Sequence, residues 1–185
     1  MKSGALLEMA KYDAKIVLLG EGAVGKTSLI HRYVQDTFSI DYKLTIGSNF
    51  LLKKIELDQT TRVLLQIWDL SGQDVFRTVR AQYYLYSRGA ILVFDLTRPS
   101  TFQKLERWYS DLIDKTGVIP LMLFGNKSDL EAQIQVDQQQ SEAMAQRFNA
   151  KYVKTSALTG DGVEEAFTEL ARKVVDHIKT KIKQD

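Results

Sequence analysis

The alternation of apolar runs with helix-period segments predicts an α/β fold, a mainly parallel six-stranded sheet with helices on both faces and one antiparallel strand at an edge. Three observations carry this expectation. Strand-like and helix-like segments alternate from residue 15 to residue 178; two adjacent strand-like runs, Phe50–Leu57 and Arg62–Trp68, flank a short turn; and a glycine-rich stretch, Gly20–Ser28, joins the first strand to the first helix.

Lys15–Leu19 is a short apolar run of strand length, and Leu29, Ile30, Tyr33 and Val34 then recur at helical spacing. Residues 35–47 are polar with scattered apolar positions, the pattern of a functional loop. The two following runs turn at Asp58–Thr61 and predict a hairpin whose inner, almost continuously apolar strand is buried. That strand leads into Asp69–Gln73. Gly89–Leu96 predicts another buried strand, and Ser100 with Gln103 resembles a capping box opening a helix. The stripe Phe102, Leu105, Trp108, Leu112 and Ile113 predicts core packing on that helix. Pro120–Phe124 is the next strand, 137–148 the next helix, and Lys151–Thr155 a short strand. Val163, Ala166, Phe167, Leu170, Val174, Val175 and Ile178 mark one face of a long final helix. The expected division is an extension over residues 1–13, one domain over 14–180 and a tail over 181–185, with no internal repeat.

At 185 residues the chain suits one domain. A net charge of +2 leaves no polyanion footprint, so nucleic acid is not implied. The absence of cysteine excludes disulfides, thiolate metal sites, cysteine nucleophiles and cysteine-linked lipid anchors. The first residues lack a signal-peptide pattern, Lys2 is incompatible with myristoylation, and no run has membrane-spanning length. These features fit a cytoplasmic protein with no direct membrane anchor in this chain.

Gly20–Ser28 fits the phosphate-loop spacing G-x-x-x-x-G-K-[S/T], with Gly20, Gly25, Lys26 and Thr27 at the fixed places. Glycines permit positive φ and close backbone approach, so the N–H groups across Gly22, Ala23, Val24, Gly25 and Ser28 can converge on phosphate. The helix that follows adds its positive end. Lys26 would reach the β- and γ-phosphates, and the Thr27 hydroxyl would hold a bridging Mg²⁺. Two further loops, Asp69–Gln73 and Asn126–Asp129, lie at the carboxyl ends of buried strands, where an open parallel sheet places ligand groups.

Together with Thr45 in Thr-Ile-Gly and with Thr155-Ser156-Ala157, these motifs resemble the small Ras-like GTPases, and the Rab branch most closely; the resemblance covers roughly residues 14–178. The segment Phe38–Phe50, Leu65–Trp68 and Leu92–Thr97 carry the Rab-like character. The resemblance implies the P-loop NTPase fold, bound GTP or GDP, and Mg²⁺ held by Thr27, by Thr45 and, through water, by Asp69. It implies that Asp129 reads guanine, Asn126 supports the base loop, the Lys127 stem packs along the ring, and Ser156, Ala157 and Leu158 complete the base site. Adenine would leave the Asp129 carboxylate without its donors. Phe38 closes over the base on this reading, or tucks into the core. Gln73 orients the attacking water while Lys26 stabilises developing charge, and Gly72 offers its N–H to the γ-phosphate.

The resemblance thus implies a monomeric GTP-hydrolysing switch, of the kind that regulates membrane traffic, with activating and exchange proteins and effectors at the loops around Thr45 and Gly72. The alternative is a guanine-nucleotide-binding module with negligible turnover; a nucleotide kinase is disfavoured by Asn126–Asp129. Slow intrinsic hydrolysis is expected because no arginine occupies an in-chain finger position; such fingers contribute roughly 10³ to 10⁵ in rate. A solvated or partner-facing role is expected for Arg77 and Arg80. Ser71 stands where Rab proteins usually carry alanine, Asn49 where an acidic residue is common, and Leu85-Tyr86-Ser87 interrupts the usual sequence after the paired tyrosines. Phe50, Trp68 and Tyr83 match an effector-reading aromatic trio, with core packing as the competing reading. The terminal Lys173, Lys179, Lys181 and Lys183, offset by Asp176 and Asp185, are expected to form a solvated helix face, without the prenylated cysteines of Rab proteins.

Overall fold

The computed structural model describes residues 9–38, 45, 47–73, 75 and 77–183. Outside it lie residues 1–8, Ser39–Leu44 and Ile46 of the Rab-like segment, Asp74, Phe76, Gln184 and Asp185; the side chains of Arg77, Thr78 and Val79 also lie outside the description. The elements are β1 (Ala10–Leu19), α1 (Lys26–Gln35), β2 (Ser48–Asp58), β3 (Thr61–Leu70), α2 (Arg77–Tyr84), β4 (Gly89–Asp95), α3 (Pro99–Gln103), α4 (Leu105–Thr116), β5 (Leu121–Asn126), α5 (Gln138–Arg147), β6 (Lys151–Lys154) and α6 (Val163–Ile182).

They build one six-stranded sheet in the order β2-β3-β1-β4-β5-β6, with β2 antiparallel at one edge and every other neighbour pair parallel. This is the expected mixed sheet. Its side chains alternate between two cores with the period-2 geometry of a strand. Ile16, Leu18, Ile91, Val93, Met122 and Phe124 face α1 and α6, while Val17, Leu19, Leu92, Phe94, Leu121 and Leu123 face α2, α4 and α5. Because both faces are covered, strands β4 and β5 are buried throughout, which is why they read as unbroken apolar runs.

Several elements differ from expectation. β1 begins at Ala10, five residues before the apolar run, because Ala10–Ala14 pair in parallel with Thr61–Leu65 and the ladder satisfies a polar backbone that sequence pattern alone would leave as extension. Ser100 does not cap a helix: α3 starts at Pro99, whose fixed φ suits the first helical turn, after Arg98 with no side-chain cap. The predicted single helix divides at Lys104, although Leu105, Trp108 and Leu112 are buried as the stripe implied. Asp137 caps α5 in a capping box with Gln140. Strand β5 runs two residues beyond Phe124, so Asn126 is held by the sheet itself.

Among the described residues, no helix is long and apolar enough to cross a membrane. On α6, Lys173 approaches Glu169 at 3.8 Å and Lys179 lies over the Tyr12 ring at 5.7 Å.

Candidate functional site

The phosphate loop leaves β1 at its carboxyl end, between β3 and β4. Gly20 has φ +144°, and a Cβ there would lie 2.1 Å from the Val93 carbonyl oxygen of β4, so only glycine lets the chain turn out of the sheet at this point. Gly25 has φ +98° and borders Asn126, whose Nδ2 would be 2.3 Å from an added Cβ. Lys26 is buried, its ammonium donating to the carbonyls of Gly20 at 2.8 Å and Glu21 at 2.9 Å. Burial pushes that ammonium down to about 8, against the charges of Asp69 and Glu21 and with those of Arg80 and Arg98.

Three hydroxyl and carboxylate oxygens converge beside it. The Thr27 hydroxyl donates to Asp69 Oδ2 at 2.5 Å, the Thr27 and Thr45 hydroxyl oxygens are 2.9 Å apart, and Thr45 donates to the same Asp69 oxygen at 3.2 Å. Burial raises the Asp69 carboxyl above its ordinary range, opposed by the Thr27 hydrogen bond, the Lys26 charge and Thr45. Its second oxygen, Oδ1, is buried with no hydrogen-bond partner among the described residues. Neighbouring ligands on an octahedral Mg²⁺ at 2.0–2.1 Å stand about 2.9 Å apart. The hard oxygen donors, the 2.9 Å between the Thr27 and Thr45 hydroxyls and the orphaned carboxylate oxygen fit that ion. A cavity of about 10 Å³ borders Thr27 and Asp69, room for about one water.

The loop after β3 closes on the phosphate loop. A Cβ on Gly72 would lie 2.4 Å from Glu21 C and from Gly22 N, so the two backbones touch where only glycine fits. The Ser71 N–H donates to Gly47 O at 2.9 Å, joining this loop to the segment that carries Thr45. The Ser71 hydroxyl accepts the Gln73 N–H at 3.4 Å, a contact that an alanine could not make.

The loop after β5 is tied to the same centre. Asn126 is 1% exposed; its Nδ2 donates to Val24 O at 2.8 Å, and its Oδ1 accepts the Ala157 N–H at 3.2 Å. Asp129 accepts from the Ser156 hydroxyl at 2.5 Å and is half-buried, with one side open to solvent. Lys127 has φ +68° and its ammonium pairs with Asp95 at 2.6 Å. Arg32 of α1 donates to the carbonyls of Ala157 at 3.0 Å and Leu158 at 2.7 Å, which fixes the loop after β6 to the helix that follows the phosphate loop. Phe38 is 37% exposed and belongs to neither core, which removes the core-packing alternative.

Two residues carry more of this architecture than their sequence context suggests. Asp95 is fully buried and accepts from Lys127, from Arg98 Nε at 2.8 Å, and from the Thr97 N–H at 2.9 Å and hydroxyl at 2.7 Å. Arg98 in turn donates to Gly22 O at 3.1 Å, so Asp95 connects the Asn126–Asp129 loop to the phosphate loop. Arg80 corrects its solvated assignment: it is 2% exposed, donates to the carbonyls of Ser71 at 2.8 Å and Gln73 at 3.1 Å, and lies over the Trp108 ring at 3.9 Å. No local stretch of sequence signals this, because the carbonyls and ring that enclose it come from residues 71, 73 and 108. Phe50 stacks on Trp68 at 5.1 Å and the Tyr83 ring is tilted against Trp68 at 5.6 Å; Phe50 is half exposed, while Trp68 and Tyr83 are half-buried and pack against the core beneath, so the trio combines an exposed ring with two that share in core packing.

Residues 15–176 match the Ras family model. Human Ras-related protein Rab-21 is 42% identical over 166 residues, 89% of this chain and 73% of that protein. Ras-related protein RABA1g of Arabidopsis thaliana is 41% identical over 161 residues, 86% of this chain and 74% of its own length. Ras-related protein RIC2 of Oryza sativa subsp. japonica is 40% identical over 164 residues, 88% and 75% respectively.

Proposed function

The chain belongs to the Ras family, close to its Rab branch, and is a small GTPase; on that premise we propose that it cycles between GTP- and GDP-bound states by hydrolysing GTP at the junction of the phosphate loop with the loops after β3 and β5. One observation supports this most: both loops seal against the phosphate loop, Gly72 at Glu21 and Gly22, and Asn126 at Val24 and Gly25. A single nucleotide can therefore meet all three.

In this reading the N–H groups from Gly22 to Ser28 and the Lys26 ammonium hold the phosphates. Lys26 is already aimed by two phosphate-loop carbonyls, so little reorganisation accompanies the charge that develops on the leaving oxygens. Thr27 and Thr45, with Asp69 through water, would hold Mg²⁺, which would supply neutralisation of the β- and γ-phosphate charge. Gln73 orients the attacking water, and Gly72 and Thr45 sense the γ-phosphate. Loss of that phosphate removes contacts from both loops and relaxes them, the two-state element of the switch. At the other end, Asp129 accepts from the guanine ring N–H and exocyclic amine, Ala157 and its neighbours Ser156 and Leu158 line the base, Lys127 lies along its face, and Phe38 covers it.

Activating and exchange proteins and effectors would meet the surface around Thr45 and Gly72, including Phe50, Trp68 and Tyr83. A monomer in the cytoplasm, regulating membrane traffic from a peripheral position, completes the proposal. The nucleotide that copurifies, identified by mass, tests the base assignment: guanine nucleotide is expected, with a change to xanthine nucleotide in Asp129→Asn, and ATP would overturn it. Phosphate release with GTP and Mg²⁺ separates turnover from mere binding. A Gln73→Leu variant slower than the wild type is expected; equal, negligible rates would leave only the binding module.

A further inference from the structure

Arg80 sits on α2, outside every motif assigned to nucleotide contact, yet its guanidinium is buried at the back of the Gly72 loop. One nitrogen, Nη1, donates both to Ser71 O at 2.8 Å and to Gln73 O at 3.1 Å. The first bond has a geometric consequence. Ser71 C=O and Gly72 N–H belong to one planar trans peptide, so the two groups point in opposite directions. A donor that captures the carbonyl from behind turns the N–H forward, away from Arg80. Forward of Gly72 is the phosphate loop, close enough that a Cβ would collide with Glu21 and Gly22.

The guanidinium is itself seated. Its flat face lies on the Trp108 ring of α4 at 3.9 Å, an arrangement favoured by cation–π attraction and by the planarity of both groups. Trp108 is 3% exposed, and its indole N–H donates to Glu21 Oε1 at 3.1 Å. Glu21 Oε2 accepts from Lys104 at 2.7 Å, so the carboxylate is held from two sides. The chain of contacts runs from the phosphate loop through Glu21 and Trp108 to Arg80 and back to the two carbonyls flanking Gly72. It closes a ring around the segment that must respond to the γ-phosphate.

We propose that Arg80 is a positioning residue that aims the Gly72 N–H at the γ-phosphate, with Trp108 and Glu21 locking it to the phosphate loop, and that it thereby sets the preference for GTP over GDP. It acts through Gly72 and touches no nucleotide. The inference rests on the reading of Gly72 as the γ-phosphate contact. It assigns a role in nucleotide discrimination to an arginine of α2 and a tryptophan of α4.

The test measures dissociation constants for GDP and for a non-hydrolysable GTP analogue, with Mg²⁺, for the wild type, Arg80→Ala, Arg80→Lys and Trp108→Phe. Losing the charge-assisted hydrogen bonds to the Ser71 and Gln73 carbonyls, the first of which shares its peptide with the Gly72 N–H, should weaken the analogue about tenfold relative to GDP in Arg80→Ala, with GDP binding changed by less than about twofold. Arg80→Lys keeps the charge but lacks the planar fork and the flat stacking face, so it should show a smaller shift in the same direction. Trp108→Phe keeps a ring beneath the guanidinium and removes the bond to Glu21, and should also lower the ratio. If Arg80→Ala fails to bind GDP through misfolding, Arg80→Lys and Trp108→Phe read the same ratio. An unchanged ratio in the variants that bind GDP, or equal loss for both nucleotides, overturns the proposal. A wild type that binds neither nucleotide would instead sink the guanine-nucleotide reading on which it rests.

Discussion

Replacing Asp95 by asparagine isolates the link between the Asn126–Asp129 loop and the phosphate loop. The carboxylate is fully buried and meets two cations, Lys127 at 2.6 Å and Arg98 at 2.8 Å, and two donors of Thr97. Removing one partner of a fully buried ion pair costs about 3–5 kcal/mol. Here the Lys127 and Arg98 side chains are 33% and 41% exposed and can rehydrate, so the discounted loss is about 2 kcal/mol. Burial alone would raise the Asp95 carboxyl, but the hydrogen bonds from Lys127, Thr97 and Arg98 outweigh it and hold the group below the ordinary carboxylate range. A depressed folded-state pKa contributes stability that is complete above the unfolded value of about 4 and disappears as pH falls through the folded one. Urea denaturation of wild type and Asp95→Asn at fixed nucleotide concentration, from pH 7 downward, should therefore give a gap of about 2 kcal/mol that is flat to about pH 5 and narrows below about pH 4. A gap below about 0.5 kcal/mol at pH 7 would refute the hydrogen-bond argument. A gap that persists undiminished under acid conditions would refute the electrostatic one.

Phe167→Ala empties the centre of one core, where the ring stacks on Tyr33 at 4.2 Å and meets Phe124 edge-on at 5.7 Å; thermal or urea unfolding should register a loss of about 3–5 kcal/mol. Gly25→Ala forces positive φ on a residue with a Cβ and drives that atom against the Asn126 amide, so nucleotide affinity measured by fluorescence anisotropy should fall, with stability lower by about 1–3 kcal/mol. Wild-type affinity would contradict the tight seam between the two loops. Thr27→Ala removes the hydroxyl nearest Asp69 and should abolish most of the tightening of nucleotide binding by Mg²⁺, an effect of about tenfold or more read by titration with and without EDTA. Equal Mg²⁺ dependence in variant and wild type would argue against the metal assignment.

Where a signal was local, it was legible. Gly20, Gly25, Lys26 and Thr27 announce a phosphate loop because the required backbone conformations and charges lie within eight consecutive residues. The unbroken apolar runs of β4 and β5 likewise announce strands covered on both faces. The Gly72 seam was partly readable, since a glycine after a buried carboxylate marks a close approach without naming its partner. Three things were missed. The polar start of β1 becomes strand only because β3 offers a ladder to Ala10–Ala14. Pro99 opens the helix through its own backbone geometry, a local signal that the Ser100–Gln103 spacing masked. Arg80 looked like any solvated helix charge, because the carbonyls and ring that enclose it come from residues 71, 73 and 108.

By itself, then, the sequence determined the fold class, the phosphate loop and the order of motifs along the rim of the sheet. These depend on periodicity and on the conformations allowed to glycine and proline, which act over a few residues. The tertiary structure decided how the three loops interlock: Asn126 beneath Val24, Gly72 against Glu21, Asp95 between Lys127 and Arg98, and Arg80 behind the Gly72 peptide. Those contacts join residues up to 102 apart in the chain, as Asn126 and Val24 are. Hydrogen bonds and buried charges at that range depend on where the sheet brings each strand end, information that no local stretch of sequence contains.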